Sequence, residues 1–309
     1  MRNRLIAIAI SLAFIPAAVW GWQMMTPQTA TQPFTAGPPY LNHEQFRFER
    51  IWPAPQPSYY SDQEWSDKSE EERQIYWKCD YPLFTGSKSA TAINQTILEY
   101  ILRIGSMPDY PTQPHTVEDA AEALHAKYQK EMRETGSKIP FQFSASGTVL
   151  LNQPGLLTVR IEGQQYYGGA HGMDPVQFFV FNSETGALLT PADIFKPDFN
   201  AQLNSLIDKA FRRQNGLMPN QPLDEGNGDY PGLMVKELSH TDNFAAGAEG
   251  MTFMYNEYEL ACYAYGKTDI LIPWNVLLPI LKDEFITKHF NNGQLSKQGI
   301  EYAALPRTN

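Results

Sequence analysis

The chain has 309 residues, of which 42% are hydrophobic and 19% charged, and it carries a net charge of −10 at pH 7. That apolar share can bury a sizeable core and excludes a disordered protein. The acidic balance argues against nucleic acid, whose phosphates call for Lys and Arg; it is compatible with a cationic partner, or with a surface that is acidic for solubility alone.

The chain opens on "MRNRLIAIAISLAFIPAAVWGW", where Arg2 and Arg4 precede an apolar run from Leu5 to Trp22. This is the pattern of an export signal, and its 18 apolar-run residues are also just enough for a retained anchor with Trp20 and Trp22 at the membrane interface. Either outcome places the body outside the cytoplasm, periplasmic or otherwise extracytoplasmic. Only four residues precede the run, so no cytoplasmic arm is expected. Residues 23–45, rich in Thr, Gln and Pro, read as a tether.

A first half is expected over residues 46–140. "RQIYWKCDYPLF" reads as a strand ending at a Pro-marked turn. "SATAINQTILEYILRI" sets Ile93, Ile97, Tyr100, Ile101 and Ile104 on one helical face. "TVEDAAEALHAKYQKEMRETG" is a helix with Thr116 as its cap and Gly136 as its stop.

A second half is expected over 141–290, with a tail at 291–309. "IPFQFSASGTVLLNQPGLLTVRIEGQQYY" alternates as two strands joined through Asn152, Gln153, Pro154 and Gly155. "VQFFVF" is a further strand, and "ALLTPADIF" runs into a helix capped by Thr190 with Pro191 at its first position. "DFNAQLNSLIDKAFRRQNG" is helical. "DNFAA", "GMTFMYN" and "YELACYAYGKTDILIPW" read as three strands, the last open to a break at Gly266, and "NVLLPILKDEFITKHF" as a closing helix. Short strands with helices on one side define an α+β class, an antiparallel sheet with helices packed against one face.

Cys79 and Cys262 sit in strand-like contexts, and the extracytoplasmic setting permits a disulfide between them. Such a bridge would contribute about 2–4 kcal/mol; two buried free thiols are the alternative. Chemistry is otherwise sparse. The six histidines show neither HxxxH nor HExxH spacing, so no metal is expected, and no cofactor motif is present. There is no GxSxG elbow. His171 with Asp174 could form half of a hydrolytic triad, but no nucleophile accompanies them.

The stretch "EGQQYYGGAHGMDPVQFFVF" concentrates glycines around one bend, a sign of positive φ or close backbone approach. Tyr166, Tyr167, Gly168, Gly169, His171 and Gly172 are therefore either a turn locked by its own rings or an exposed recognition loop. Tyrosine supplies large contact area at low entropic cost, which favours it in the second role.

"LLTVRIEGQQYYGGAHGMDPVQFFVFNSETGALLTPADIF", followed by "FMYNEYELACYAYGKTDILIPWNVL", resembles the core of the RsiV-like family (domain of unknown function 3298). Upstream, Tyr81, Pro82, Phe84, Ile93 and Asn94 are similar to the companion domain that precedes it in PdaC-like proteins. The resemblance implies an outer domain that binds lysozyme by inserting loops into its cleft, and it adds Tyr263 to the binding residues. Cys262 stands where the family carries a proline. The expectation is an exported, non-enzymatic envelope protein that recognises a lysozyme-type muramidase or peptidoglycan, touching membrane only through an N-terminal anchor. A hydrolase built on His171 and Asp174, or a structural module of an envelope assembly, are the other readings.

Overall fold

The computed structural model describes residues 40–106, 114–227 and 230–291. The export segment, most of the tether and all but Asn291 of the tail lie outside the described residues. Among the described residues no helix is long and apolar enough to cross a membrane. The described residues belong to one compact unit.

Five strands form the main sheet: β1 (Asn42–Pro53), β2 (Gln74–Thr85), β3 (Gln142–Gln153), β4 (Leu156–Tyr166) and β5 (Val176–Phe181), paired in that order. Strand β1 begins within the expected tether. It is mostly exposed, carries Glu44, Arg47, Glu49 and Arg50, and turns Phe46, Phe48 and Trp52 toward the interior. Charge on an outer strand discourages edge-to-edge pairing with another chain. Between β1 and β2 the six-residue helix α1 (Asp62–Asp67) starts at a capping box in which Ser61 and Glu64 exchange hydrogen bonds.

Three of the four pairings are antiparallel, but β2 and β3 run parallel. A parallel pair needs a crossover, and helices α2 (Lys88–Ile104) and α3 (Val117–Thr135) supply it. Both helices start and stop as their sequences dictate. Ser87 caps α2, Thr116 caps α3 by accepting from the Asp119 N–H at 3.0 Å, and Gly136 ends α3 at φ 75°. Their apolar faces bury Ile93, Ile97, Ile101, Ala121 and Leu124 against Ile75, Trp77, Cys79 and Tyr81 of β2 and Leu157, Val159 and Ile161 of β4.

Phe179 and Phe181 of β5 join the core beneath these helices, while Val176, Phe178 and Val180 face a second layer. Burial on both sides explains why the run from Phe178 to Phe181 is apolar without alternation. The second layer is a three-stranded antiparallel sheet of β6 (Phe244–Ala246), β7 (Gly250–Tyr255) and β8 (Thr268–Pro273). Helix α4 (Pro191–Ile194), capped by Thr190 with Asp193, leads to α5 (Asn200–Gln214), whose Leu203, Ile207 and Phe211 fill this second core. The α+β class expected from the sequence is the one observed. The sheet crosses the boundary drawn at residues 140 and 141, so the two expected halves share it.

The free edge of β5 is fastened to the second layer by asparagine side chains. Asn243 Oδ1 accepts from the Phe178 N–H at 2.8 Å, and its Nδ2 donates to the Val176 carbonyl at 2.7 Å. Asn256 Oδ1 accepts from the Val176 N–H at 2.8 Å. Thr158 adds a buried bond from its hydroxyl to the Ala246 carbonyl at 2.8 Å.

Three expectations need correction. The cysteines are not bonded: Cys79 is 3% exposed within the first core, whereas Cys262 is exposed on a loop. A disulfide requires Cα atoms within about 7 Å and converging side chains. The alternative of two buried thiols holds for Cys79 alone. "YELACYAY" is not a strand, because Tyr258 turns the chain at φ 68°, Tyr263–Tyr265 form a 3-10 turn and Gly266 follows at φ 80°. The closing helix is broken into α6 (Trp274–Leu277), a 3-10 turn at Leu278–Ile280 containing Pro279, α7 (Asp283–Ile286) and a π turn at Thr287–Asn291. Proline cannot donate its backbone bond within a helix, which accounts for the first break.

The π turn buries His289, 3% exposed, with its ring 4.5 Å from that of Phe285 and with no partner for Nδ1. Burial, helped by Lys288 and opposed by Glu184, pushes its pKa down to about 4. The unfolded imidazole titrates near 6.5. Its contribution is therefore complete above about pH 6.5 and is lost as the pH falls toward 4, by on the order of 3 kcal/mol. Urea denaturation at pH 7.0 and 4.5 should show a steeper loss in the wild type than in His289→Leu. Equal losses would mean that His289 is protonated at no cost.

Candidate functional site

The bend between β4 and β5 is a hairpin loop closed by reciprocal hydrogen bonds between Gln165 and Met173, at 2.8 and 2.9 Å. Gly168 and Gly169 lie at φ 90° and 95° with open space where a side chain would start. Gly172 serves another need, because a Cβ there would lie 2.5 Å from the Gln165 carbonyl oxygen. Gly172→Ala should therefore open the closing bridge and cost about 1–3 kcal/mol, against about 1–2 kcal/mol of backbone strain for Gly168→Ala. Thermal melts of the two variants, with amide exchange at Gln165 and Met173, separate the effects. Retained protection at both amides in Gly172→Ala would contradict this account.

The two tyrosines of the loop part company. Tyr167 turns inward, packs on the first core and meets the Phe141 ring edge-on at 5.8 Å. It is a structural residue rather than the contact expected of it. Tyr166 is half-buried and donates its hydroxyl to the Gly169 carbonyl at 3.2 Å, bracing the loop from within.

His171 is exposed, and its ring stacks on that of Tyr263 at 3.7 Å and 17°. Its Nδ1 lies 2.8 Å from the Gly172 carbonyl and its Nε2 lies 3.2 Å from the Tyr258 hydroxyl. A carbonyl can only accept, so Nδ1 carries the proton, and in the neutral ring Nε2 accepts from Tyr258. Both nitrogens are thereby engaged, and neither bonds Asp174 as a triad would require.

Tyr258 was not among the residues singled out from the sequence. Its phenol, 47% exposed, is held by a tight turn in which its N–H donates to the Ala261 carbonyl at 3.0 Å. A positive φ at a tyrosine is sparsely populated and persists where the surroundings enforce it. Here Asn256 fixes the turn, its side chain bonding Val176 on one side and its backbone N–H donating to Glu259 Oε2 at 2.9 Å on the other. His171, Tyr258 and Tyr263 thus form one aromatic surface assembled from two loops 87 residues apart.

Behind this surface Glu257 is 8% exposed. Its Oε1 meets Lys267 Nζ at 3.1 Å, and its Oε2 has no partner. Lys267 also donates to the Asp174 backbone carbonyl at 2.6 Å. Burial first, then the charges of Asp174 and Glu257 and the neighbouring Tyr258, raise the pKa of Tyr263. Glu257 was likewise missed. A burial signal lay in its place between strand and turn in "MYNEYEL", but a single sequence does not say which of several acidic residues turns inward.

The remaining five histidines are dispersed: His43 lies 5.4 Å from the Phe84 ring, His115 is exposed, His125 stacks on Trp52 at 4.3 Å, His240 bonds Asn204, and His289 is buried in the second core. Among the described residues no three metal-ligating side chains converge.

The comparisons with known proteins bear on this geometry. Residues 192–275 match the family described as protein of unknown function (DUF3298), and residues 69–174 match that described as deacetylase PdaC. The chain therefore carries a DUF3298 domain preceded by a PdaC-like companion segment. Among solved structures, a member of the DUF3298 family from Bacteroides fragilis aligns with a TM-score of 0.59 at 21% identity, over 81% of this chain and 97% of its own. A DUF3298 family protein from Pseudomonas aeruginosa aligns with a TM-score of 0.51 at 18% identity, over 79% and 96%. At these identities the likeness is one of fold. No curated protein matches. Residues 175–191 lie between the two matched segments. The aromatic surface straddles that junction: His171 comes from the PdaC-like segment, and Tyr258 and Tyr263 come from the DUF3298 domain.

Proposed function

We propose that this protein is an exported, non-enzymatic binding module of the cell envelope whose ligand is a cationic protein of the lysozyme-type muramidase class. The observation that carries the reading is the contact of His171 with Tyr263 and Tyr258, which holds an exposed aromatic surface rigid across two loops. Rigid aromatics on loops give contact area without a large ordering cost. The net charge of −10 suits a basic partner and would speed its approach. The basic-then-apolar N-terminal run supports an extracytoplasmic location. Cell-wall glycan is the alternative ligand.

Calorimetric titration of residues 33–309 with a c-type lysozyme at two salt concentrations, with muramidase activity followed in parallel, tests the reading. Binding that weakens with salt and inhibits the muramidase is the expected result. Absence of heat at high micromolar concentrations would dismiss the muramidase and make peptidoglycan fragments the next ligands.

A further inference from the structure

The aromatic surface stands over an unbalanced group of charges. Lys267 Nζ pairs with Glu257 Oε1 and donates to the neutral backbone carbonyl of Asp174, so the ammonium group neutralises one carboxylate and the neighbouring Asp174 side chain adds a second negative charge. Two carboxylates against one cation leave a local charge of −1. Asp174 is half-buried as a residue and, among the described residues, its carboxylate has no ion pair; Glu257 Oε2 is enclosed and unpartnered. A buried carboxylate oxygen without a donor is costly and is normally satisfied. Here the deficit is one positive group, and the charges of Asp174 and Glu257 both act on the neighbouring Tyr263 phenol.

We propose that Tyr258, Tyr263, Asp174 and Glu257 form a subsite for one arginine side chain of the partner protein. The guanidinium stacks on a tyrosine face and donates to the Asp174 carboxylate, while Glu257 supplies negative charge from behind. Arginine fits better than lysine because its head is planar, lies flat on an aromatic ring and offers several donors at fixed angles. The inference rests on the reading of the ligand as a cationic protein, but the subsite can be tested without that partner.

The probe is N-acetyl-arginine amide, titrated into residues 33–309 while the ring signals of His171, Tyr258 and Tyr263 are followed by NMR. Glucosamine and N-acetyl-lysine amide are run in parallel. Saturable shifts with the arginine probe are expected, with weaker response to lysine and little to the amino sugar. Asp174→Asn, at a half-exposed position, should weaken the response roughly tenfold, as expected for loss of one charge-assisted bond, with an unchanged thermal melt; Glu257→Gln should act in the same direction. A larger response to glucosamine would replace the arginine subsite by an amino-sugar site. No response to any probe, or an unchanged response in Asp174→Asn, would overturn the proposal. A lysozyme that binds wild type and Asp174→Asn equally would also overturn it while leaving the muramidase reading intact. Failure of lysozyme to bind, with the arginine response preserved, would remove the muramidase and leave the subsite.

Discussion

Alanine in place of Tyr263 will weaken binding of a c-type lysozyme by roughly 30- to 1000-fold, the effect of losing about 2–4 kcal/mol at an aromatic hot spot. The melting temperature should move little, because Tyr263 is only partly buried and its 3-10 turn contains no buried residue. The large effect follows from two consequences of one substitution. It deletes an aromatic contact, and it removes the face on which His171 stacks at 3.7 Å, so the imidazole loses its orientation as well. Tyr167→Ala provides the contrast. That ring packs on the first core beside Phe141, so its loss should lower stability and affect binding only through the loop it anchors. Calorimetry and melts on both variants check the pair. Equal binding by wild type and Tyr263→Ala would remove the aromatic surface from the account.

Asn243→Ala should destabilise the fold by about 2–4 kcal/mol, out of proportion to the few atoms removed. The side chain is 7% exposed and satisfies the Phe178 N–H and, together with Asn256, the Val176 carbonyl. Truncation leaves a buried donor with no partner, at about 1–3 kcal/mol for the group, and adds a small void where two layers meet. Asn243→Asp should be at least as damaging. It keeps the acceptor for Phe178 but faces the Val176 carbonyl with a second acceptor and buries a charge. Urea denaturation gives the magnitude, and amide exchange at Val176 and Phe178 reports whether the edge of β5 opens first. Unchanged stability in both variants would mean that hydrophobic contact alone holds the layers.

The elements that were legible in the sequence are those governed by local signals. The buried stripe of α2, the Thr116 cap, the Gly136 stop and the Asn152–Gly155 hairpin each depend on residues within one or two turns of one another. The parallel pairing of β2 with β3 was not, since strand direction depends on what lies between the strands and on the whole sheet. The fate of Cys79 and Cys262 is a long-range matter in the same way: similar local contexts end in a core and on a loop. At the site, the glycine cluster marked the right bend but not which tyrosine turns into the core. That choice is made by Phe141, 26 residues upstream of Tyr167. Tyr258 escaped notice because its role depends on a backbone conformation that a tyrosine rarely adopts.

The contrast between the two thiols makes the native protein its own labelling substrate. Cys79 is enclosed and its thiol is pushed up to about 12, chiefly by burial, so at neutral pH it offers almost no thiolate to an electrophile. Cys262 is exposed and immediately precedes Tyr263. A maleimide fluorophore or spin label would therefore attach at one position, on the rim of the aromatic surface. Ligand arrival could then be read as a change in emission or mobility without introducing or removing a single cysteine.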